Sequence, residues 1–151
     1  MPTHSLPVPH RLQEEDAGCL AACAQMVLAY LGIRQTQAAL NRLLGLTSIG
    51  TSYSNIRRLT ALGVGVTLAY GAEEELRAAI ERATPPIVFV KTGDLPYWHD
   101  NTSHAVVLTG YDDEAVYLND PAFVANPQRV SWDDFMLAWD ELDNSYALVT
   151  R

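Results

Sequence analysis

Residues 13–30 read QEEDAGCLAACAQMVLAY, an acidic and polar run that becomes apolar at Cys19. From Cys19 to Leu31 the chain carries no glycine, proline or charged residue. This length, together with the alanine and leucine content, predicts a helix that is buried on nearly all sides. We expect Asp16 to cap its N-terminus and Gly32 to end it.

Apolar periodicity and turn residues predict the elements on either side of this helix. Residues 1–12, with their three prolines, are expected to form an extended lead-in. Further helices are predicted at residues 35–44, 54–62, 73–82 and 132–139. Strands are predicted at residues 64–70, 87–90, 105–109, 116–118 and 146–149, with a turn at residues 110–113. This order indicates an α+β fold with an N-terminal helical part and a C-terminal antiparallel β part.

The length and composition are those of one globular domain. The chain has 151 residues, of which 48% are apolar and 19% are charged, and this balance excludes a disordered protein. There are 10 basic and 18 acidic residues, so the net charge of -8 argues against a nucleic-acid binder. No segment has the apolar length of a secretory signal or a membrane span. We therefore expect a cytoplasmic protein with no membrane insertion.

The two cysteines, Cys19 and Cys23, differ in their position on the first predicted helix. Four residues apart on one helix, their side chains point the same way, which suits neither a disulfide nor a structural zinc site. Cys19 lies in the first turn, where free N–H groups and the helix dipole favour the nucleophilic thiolate form. Cys23 lies one turn deeper, where a small buried apolar residue is the simpler interpretation. The same packing role is the alternative for Cys19.

A nucleophilic cysteine needs a base and a group that orients that base, and both are often distant in sequence. His4 and His10 lie in the lead-in, where we expect solvation, and His99 lies in a polar loop, whereas His104 begins a strand. Asp120 ends the strand predicted to pair with it, so one hairpin returns its carboxylate to the imidazole. One ring nitrogen would then bind the carboxylate while the other faces the thiol. Taken separately, the two residues would be an ordinary strand-edge histidine and an Asp-Pro turn.

Several short motifs occur along the chain in one order. They are Gln13 six residues before Cys19, the run Cys19-x-x-Ala22-Cys23-x-x-Met26-Val27-Leu28-Ala29-Tyr30, His104, Gly-Tyr-Asp-Asp at residues 110–113, and Asn119-Asp120-Pro121. In this order they resemble the bacteriocin-processing (double-glycine leader) cysteine peptidase family of the papain-like superfamily. The likeness is to its stand-alone branch, without transporter domains, and it extends from Leu12 to about Trp139.

The resemblance implies a papain-like cysteine peptidase fold in a single domain, residues 1–151, that hydrolyses peptide bonds without a cofactor or a metal. It implies that Cys19 is the nucleophile, His104 the general base and Asp120 the orienting acid. Gln13 would donate its side-chain amide to the oxyanion beside the Cys19 backbone N–H, where preorganised donors stabilise the tetrahedral intermediate. The partner it implies is a peptide or protein substrate.

Two departures from the family pattern concern the neighbours of the nucleophile. Leu20 stands where the family usually has glycine, and Gly18 where it usually has aspartate, and both bear on substrate choice and turnover. Two functions besides peptide hydrolysis stay open. The same triad would serve an amidase or acyl transferase, and the same fold would serve a catalytically silent peptide-binding module.

The polar loop before His104 contains the run Tyr97-Trp98-His99-Asp100, which has two interpretations. It would either line a substrate cleft or be anchored to the core by its aromatic rings. A metal site built from His99, Asp100, His104 and Asp120 has the right residue types but lacks helical ligand spacing. Because it also leaves Cys19 and Gln13 without a role, we do not expect it.

Overall fold

Helices precede most of the strands along the chain, as the sequence predicts. The computed structural model describes residues 2–151. The α-helices are α1 Cys19–Tyr30, α2 Gln37–Leu44, α3 Glu73–Glu81 and α4 Trp132–Asp140, and two 3₁₀ helices span Tyr53–Leu62 and Thr92–Asp94. The prediction of an α+β fold is therefore confirmed.

One antiparallel sheet forms the C-terminal part. Its strands are β1 His4–Ser5, β2 Gly65–Tyr70, β3 Ile87–Lys91, β4 Ser103–Tyr111, β5 Ala115–Asn119, β6 Gln128–Ser131 and β7 Ser145–Thr150. The order across the sheet is β2-β7-β3-β4-β5-β6, and β1 pairs with the end of β4. Every neighbouring pair is antiparallel.

Helix α1 is buried on nearly all sides, as its composition predicts. Its residues from Leu20 to Ala24 and from Met26 to Leu28 are at most 2% exposed. It lies against β3 and β4 on one face of the sheet and against α2 on its other side. Its apolar surface is thus enclosed all round, which explains why no polar stripe is visible in its sequence.

The two ends of α1 differ from each other in how well the sequence predicts them. Gly32 ends the helix with a φ of 81°, and the N–H of Ile33 closes the last turn on the carbonyl of Leu28. The prediction of Asp16 as N-cap is wrong, because the N-cap residue is Gly18. A Cβ at Gly18 would lie 3.1 Å from the carbonyl oxygen of Glu15, so the tight turn before α1 favours glycine over a capping side chain.

The helix predicted at residues 54–62 is a 3₁₀ helix over Tyr53–Leu62. Its core-facing residues, Tyr53, Ile56, Leu59 and Leu62, recur every third residue. A 3₁₀ helix has about three residues per turn, so this spacing places all of them on one face. The apolar pattern therefore matches the tighter helix better than an α-helix.

Two short strands and one turn differ from the sequence prediction. The lead-in contributes β1, which pairs with Gly110 and Tyr111, and residues 128–131 form β6 beside β5. The turn predicted at residues 110–113 lies further on, because β4 continues through Tyr111. A Cβ at Gly110 would lie 2.5 Å from the carbonyl oxygen of His4, so the glycine is needed for the approach of β1 and not for a turn.

The central strands are buried on both faces, which gives the sheet a helical layer on each side. In β3, Ile87 and Phe89 pack with α1 and α2, whereas Val88 and Val90 pack with α3 and α4. The start of β4 therefore lies at the edge of two apolar clusters and is held firmly by both. Among residues 2–151, no helix is long and apolar enough to cross a membrane.

Candidate active site

Cys19 is the first residue of α1 and is partly exposed in a cleft. The first N–H groups of a helix have no hydrogen-bond partner within it. These groups and the positive end of the helix dipole therefore lie beside the Cys19 thiol. The turn before it is closed by the N–H of Gly18, which donates to the carbonyl of Glu15. The thiol thus sits at an electropositive helix end with access to solvent.

The cleft has a volume of about 800 Å³ and separates the start of α1 from the start of β4. One wall comes from residues 13–20, the second from residues 48–53, and the third from residues 98–104. Its lining includes Gln13, Cys19, Leu20, Tyr53, Trp98 and His104. Three of the four site residues predicted from the sequence therefore share one cavity.

Asp120, the fourth of them, lies behind His104. The pairing of β4 with β5 places Asn119 opposite Val107, so Asp120 follows at the end of β5. The Nε2 of His104 donates a 2.7 Å hydrogen bond to Oδ1 of Asp120. The two side chains are 5% and 0% exposed, respectively, so the pair is shielded from water. The remaining ring nitrogen, Nδ1, is the one available to the cleft side.

The carboxylate of Asp120 accepts four hydrogen bonds. Oδ1 binds the backbone N–H of Ala122 at 2.9 Å as well as His104. Oδ2 accepts from the hydroxyl of Tyr97 at 2.7 Å and from the indole N–H of Trp98 at 2.9 Å. Burial disfavours ionisation, but the hydrogen bonds and the charge of His104 outweigh it and lower the pKa of Asp120 below 3.8. The group is therefore a fixed anion.

Burial also acts on His104, where it disfavours the imidazolium and lowers the pKa. The hydrogen bond with Asp120 and its negative charge, together with the nearby Cys19, outweigh burial and raise the pKa of His104 to about 9. The imidazolium is therefore the stable form at neutral pH. Such a ring can supply a proton to a leaving group.

Cys23 is fully buried and lies outside the cleft, in agreement with its predicted packing role. Burial, followed by the charges of Cys19 and Asp120, raises the pKa of the Cys23 thiol well above 9.0. Cys19, in the first turn of α1, is thus partly exposed in the cleft, whereas Cys23, in the second turn, is enclosed by the core. A neutral, enclosed thiol is a poor nucleophile.

Gln13 lines the cleft near Cys19, but its amide is engaged by its own loop. The Nε2 group donates to the carbonyl of Asp16 at 2.7 Å and to that of Glu15 at 3.0 Å. Its Oε1 atom is buried, and no donor within residues 2–151 lies in hydrogen-bond reach of it. The amide therefore holds the turn before α1 in place in this structure.

The polar loop lines the cleft through Trp98, and the rings of both Tyr97 and Trp98 anchor it to Phe123. Trp98 lines the cleft, whereas Tyr97 lies outside it and packs edge-on against Phe123 at 5.1 Å. The ring of Trp98 also meets that of His104 edge-on at 4.9 Å. His99 is exposed. Within residues 2–151, no group of three or more His, Cys, Asp or Glu side chains is placed to hold a metal ion.

One residue that sequence reasoning treats as solvated touches the site. The Nε2 of His10 donates a 2.9 Å hydrogen bond to the backbone carbonyl of Asp120. His4, which also lies in the lead-in, is exposed and stacks on Tyr111. The prediction of solvation is thus wrong for His10, and the lead-in contributes to the support of Asp120.

The sequence model of the Peptidase_C39 like family matches residues 5–147 of this chain. The matched range includes every residue described above as part of the site. It begins at Ser5, so the first four residues of the lead-in lie outside it. No curated protein matches the chain.

Solved structures of the same fold include a C39-like peptidase and two peptidases that come from transporters. A C39-like peptidase from Bacillus anthracis is 20% identical, with a TM-score of 0.78 and 98% of each chain covered. A double glycine motif protease from an AMS/PCAT transporter, solved in complex with the leader peptide, is 20% identical, with a TM-score of 0.78 and coverage of 98% and 94%. The peptidase domain of Streptococcus ComA, a bi-functional ABC transporter involved in quorum sensing, is 19% identical, with a TM-score of 0.77 and coverage of 93% and 96%.

Proposed function

Because the chain belongs to the Peptidase_C39 like family, we propose that it is a cysteine peptidase with Cys19 as nucleophile, His104 as base and Asp120 as orienting acid. The observation that carries this proposal is the 2.7 Å hydrogen bond between His104 and Asp120, directly behind the cleft that holds Cys19. A buried carboxylate that fixes one ring nitrogen leaves the other for proton transfer. We further propose that residues 1–151 act as one papain-like peptidase domain without a cofactor.

The first half of the reaction forms an acyl-enzyme. The Cys19 thiolate attacks the carbonyl carbon of the scissile peptide bond, and the carbonyl oxygen becomes an oxyanion. As the C–N bond breaks, the Nδ1–H of the His104 imidazolium gives its proton to the departing amine. The acyl group remains on Cys19 as a thioester, and His104 is neutral.

The second half releases the acid. Neutral His104 removes a proton from a water molecule, whose oxygen attacks the thioester carbonyl. The C–S bond then breaks, the carboxylic acid leaves, and Cys19 returns as the thiolate beside the imidazolium. Asp120 stays ionised throughout and stabilises each imidazolium state, since its pKa lies below the usual value.

The oxyanion needs donors that point to the position of the developing charge. The backbone N–H of Cys19 is at the free end of α1 and is one such donor. We propose Gln13 as the second, which requires one of its two hydrogen bonds to Glu15 and Asp16 to be released when substrate binds. The amide then exchanges a backbone carbonyl for an anionic acceptor, which is the stronger partner.

A peptide or protein chain is the substrate that the cleft suits best. The volume of about 800 Å³ accommodates several residues of an extended chain. One of the structurally similar proteases is solved with a leader peptide, which is also a peptide ligand. Leu20 also lines the cleft beside Cys19, but it is 1% exposed and packs in the apolar core, so it offers a substrate little side-chain surface.

The proposal is tested by incubating the protein with a diverse peptide library and identifying new termini by mass spectrometry. We expect cleavage by the wild type and none by Cys19→Ala. In parallel, a thiol-reactive epoxide should label Cys19 in the folded protein and not Cys23. Binding of peptides without cleavage would instead identify a silent binding module, and transfer of acyl groups to added amines or release of ammonia from amides would identify a transferase or amidase.

A further inference from the structure

The two oxygens of the Asp120 carboxylate have different partners. Oδ1 faces His104, whereas Oδ2 faces the hydroxyl of Tyr97 and the indole N–H of Trp98. Resting on the triad proposed above, we infer that Tyr97 and Trp98 are positioning residues that hold Asp120 in the orientation that His104 requires. Neither is among the residues that the sequence motifs assign to the reaction.

Rotation of the carboxylate is what these two donors oppose. Without them, the side-chain hydrogen bonds of Asp120 would both fall on Oδ1, from His104 and from the N–H of Ala122. The carboxyl plane could then turn about that oxygen and misalign the imidazole. Donors on Oδ2 fix the plane from the opposite side, and hydrogen bonds to a charged acceptor are the stronger kind.

Packing makes the two donors rigid. The rings of Tyr97 and Trp98 meet the ring of Phe123 edge-on, at 5.1 and 5.2 Å between centroids. Phe123 belongs to the same loop as Asp120, and its N–H bonds the Asp120 carbonyl at 3.3 Å. The donors and the acceptor are therefore fixed to one aromatic cluster. Pre-organisation of this kind is what holds a supporting group to within a fraction of an ångström.

Tyr97 and Trp98 differ in their access to substrate. Trp98 lines the cleft, so its replacement would change substrate contacts as well as Asp120. Tyr97 lies outside the cleft and reaches the site only through its hydroxyl on Asp120. Tyr97 is therefore the residue whose effect on the reaction can be separated from substrate binding.

The chain offers a matched control for Tyr97→Phe. Tyr117 is also largely buried and also donates its hydroxyl to an aspartate, namely Oδ2 of Asp112 at 2.8 Å, on a strand outside the cleft. Tyr117→Phe removes the same atom and the same kind of hydrogen bond. A merely structural role for Tyr97 predicts that the two variants behave alike except for thermal stability.

The measurements are kcat and KM on a cleaved peptide and the rate of Cys19 alkylation by iodoacetamide as a function of pH. For Tyr97→Phe we expect kcat to fall roughly tenfold with KM changed less than about twofold, as for one lost hydrogen bond to a charged group. The acid limb of the alkylation curve should move to higher pH, because an Asp120 that is less firmly oriented and less readily ionised stabilises the His104 imidazolium less. Tyr117→Phe should leave all of these values unchanged.

An alkylation curve and a kcat for Tyr97→Phe that equal those of Tyr117→Phe would overturn the inference. If Tyr97→Phe fails to fold, the alkylation curve of Trp98→Phe, which keeps a ring but loses the donor, decides the matter in the same way. Failure of the triad itself looks different. In that case His104→Ala would show the same pH dependence of Cys19 alkylation as the wild type, whatever the result for Tyr97→Phe.

Discussion

The backbone N–H of Gln13 donates a 2.8 Å hydrogen bond to the carbonyl oxygen of Pro121, directly after Asp120. The turn before Cys19 and the segment that carries Asp120 are thus joined by a direct hydrogen bond. His10 adds a second link, to the carbonyl of Asp120, and Asn119 a third, to the carbonyl of Val8. The lead-in therefore ties the helical part of the cleft to the end of β5.

Cys19, and not Cys23, should carry the activity, because only Cys19 lies in the cleft at the helix end. Cys19→Ser should abolish turnover. Cys23→Ala should retain it and lower the free energy of unfolding by about 1–2 kcal/mol through lost packing. Turnover and urea denaturation measure the two effects, and equal loss of turnover in two folded variants would contradict this assignment.

Gln13→Ala should lower kcat and kcat/KM together by roughly 10²–10³, the usual loss for one oxyanion donor. The same substitution also removes the hydrogen bonds that the Gln13 amide donates to the carbonyls of Glu15 and Asp16 in the absence of substrate. Steady-state kinetics separates these roles. A change confined to KM would show that Gln13 shapes the turn before α1 but does not stabilise the transition state.

The identity of the base is tested by the alkylation of Cys19 near neutral pH. His104→Ala should slow it roughly tenfold or more, since an imidazolium no longer stabilises the thiolate. Asp120→Asn should have a smaller effect, because an amide still hydrogen-bonds the ring but carries no charge. His99→Ala is the control, since His99 is exposed, and circular dichroism checks the fold of all three. A slower reaction in His99→Ala with an unchanged one in His104→Ala would rule out the triad.

The free energy of unfolding should fall at alkaline pH because of His104. Its folded pKa of about 9 lies above the ordinary 6.5, so its contribution is fully present below the lower value and is lost as the pH rises through the higher one. The loss should be on the order of 3 kcal/mol. Urea denaturation at about pH 6 and about pH 10 gives the free energy of unfolding of the wild type and of His104→Gln. The difference between the two proteins should be smaller at the higher pH. A constant gap would contradict the raised pKa.

The sequence predicts best where a pattern is local. The apolar run that forms α1 and the hairpin that returns Asp120 to His104 both follow from residues close along the chain. β1 is different, because two exposed residues between prolines carry no strand pattern. Its pairing depends on the missing side chain of Gly110, more than a hundred residues away.

The contacts that support the cleft are harder to predict from the sequence than the positions of Cys19, His104 and Asp120. The hydrogen bonds of Tyr97 and Trp98 to Asp120 join two loops, and no periodicity describes such a contact. The bond from His10 to the Asp120 carbonyl likewise appears only when the lead-in is placed. A signal did exist for the loop, since two adjacent aromatic residues with polar tips seldom occur without hydrogen-bond partners when buried.

The position of Trp98 gives the site an optical reporter of its own. Its indole touches the ring of His104 and donates to Asp120, whereas Trp132 and Trp139 lie in α4, where their rings pack against Phe135. A protonated imidazole quenches indole fluorescence, so the emission of Trp98 should brighten as His104 loses its proton. The protonation of His104 can thus be followed by intrinsic tryptophan fluorescence, without an added label and without a known substrate.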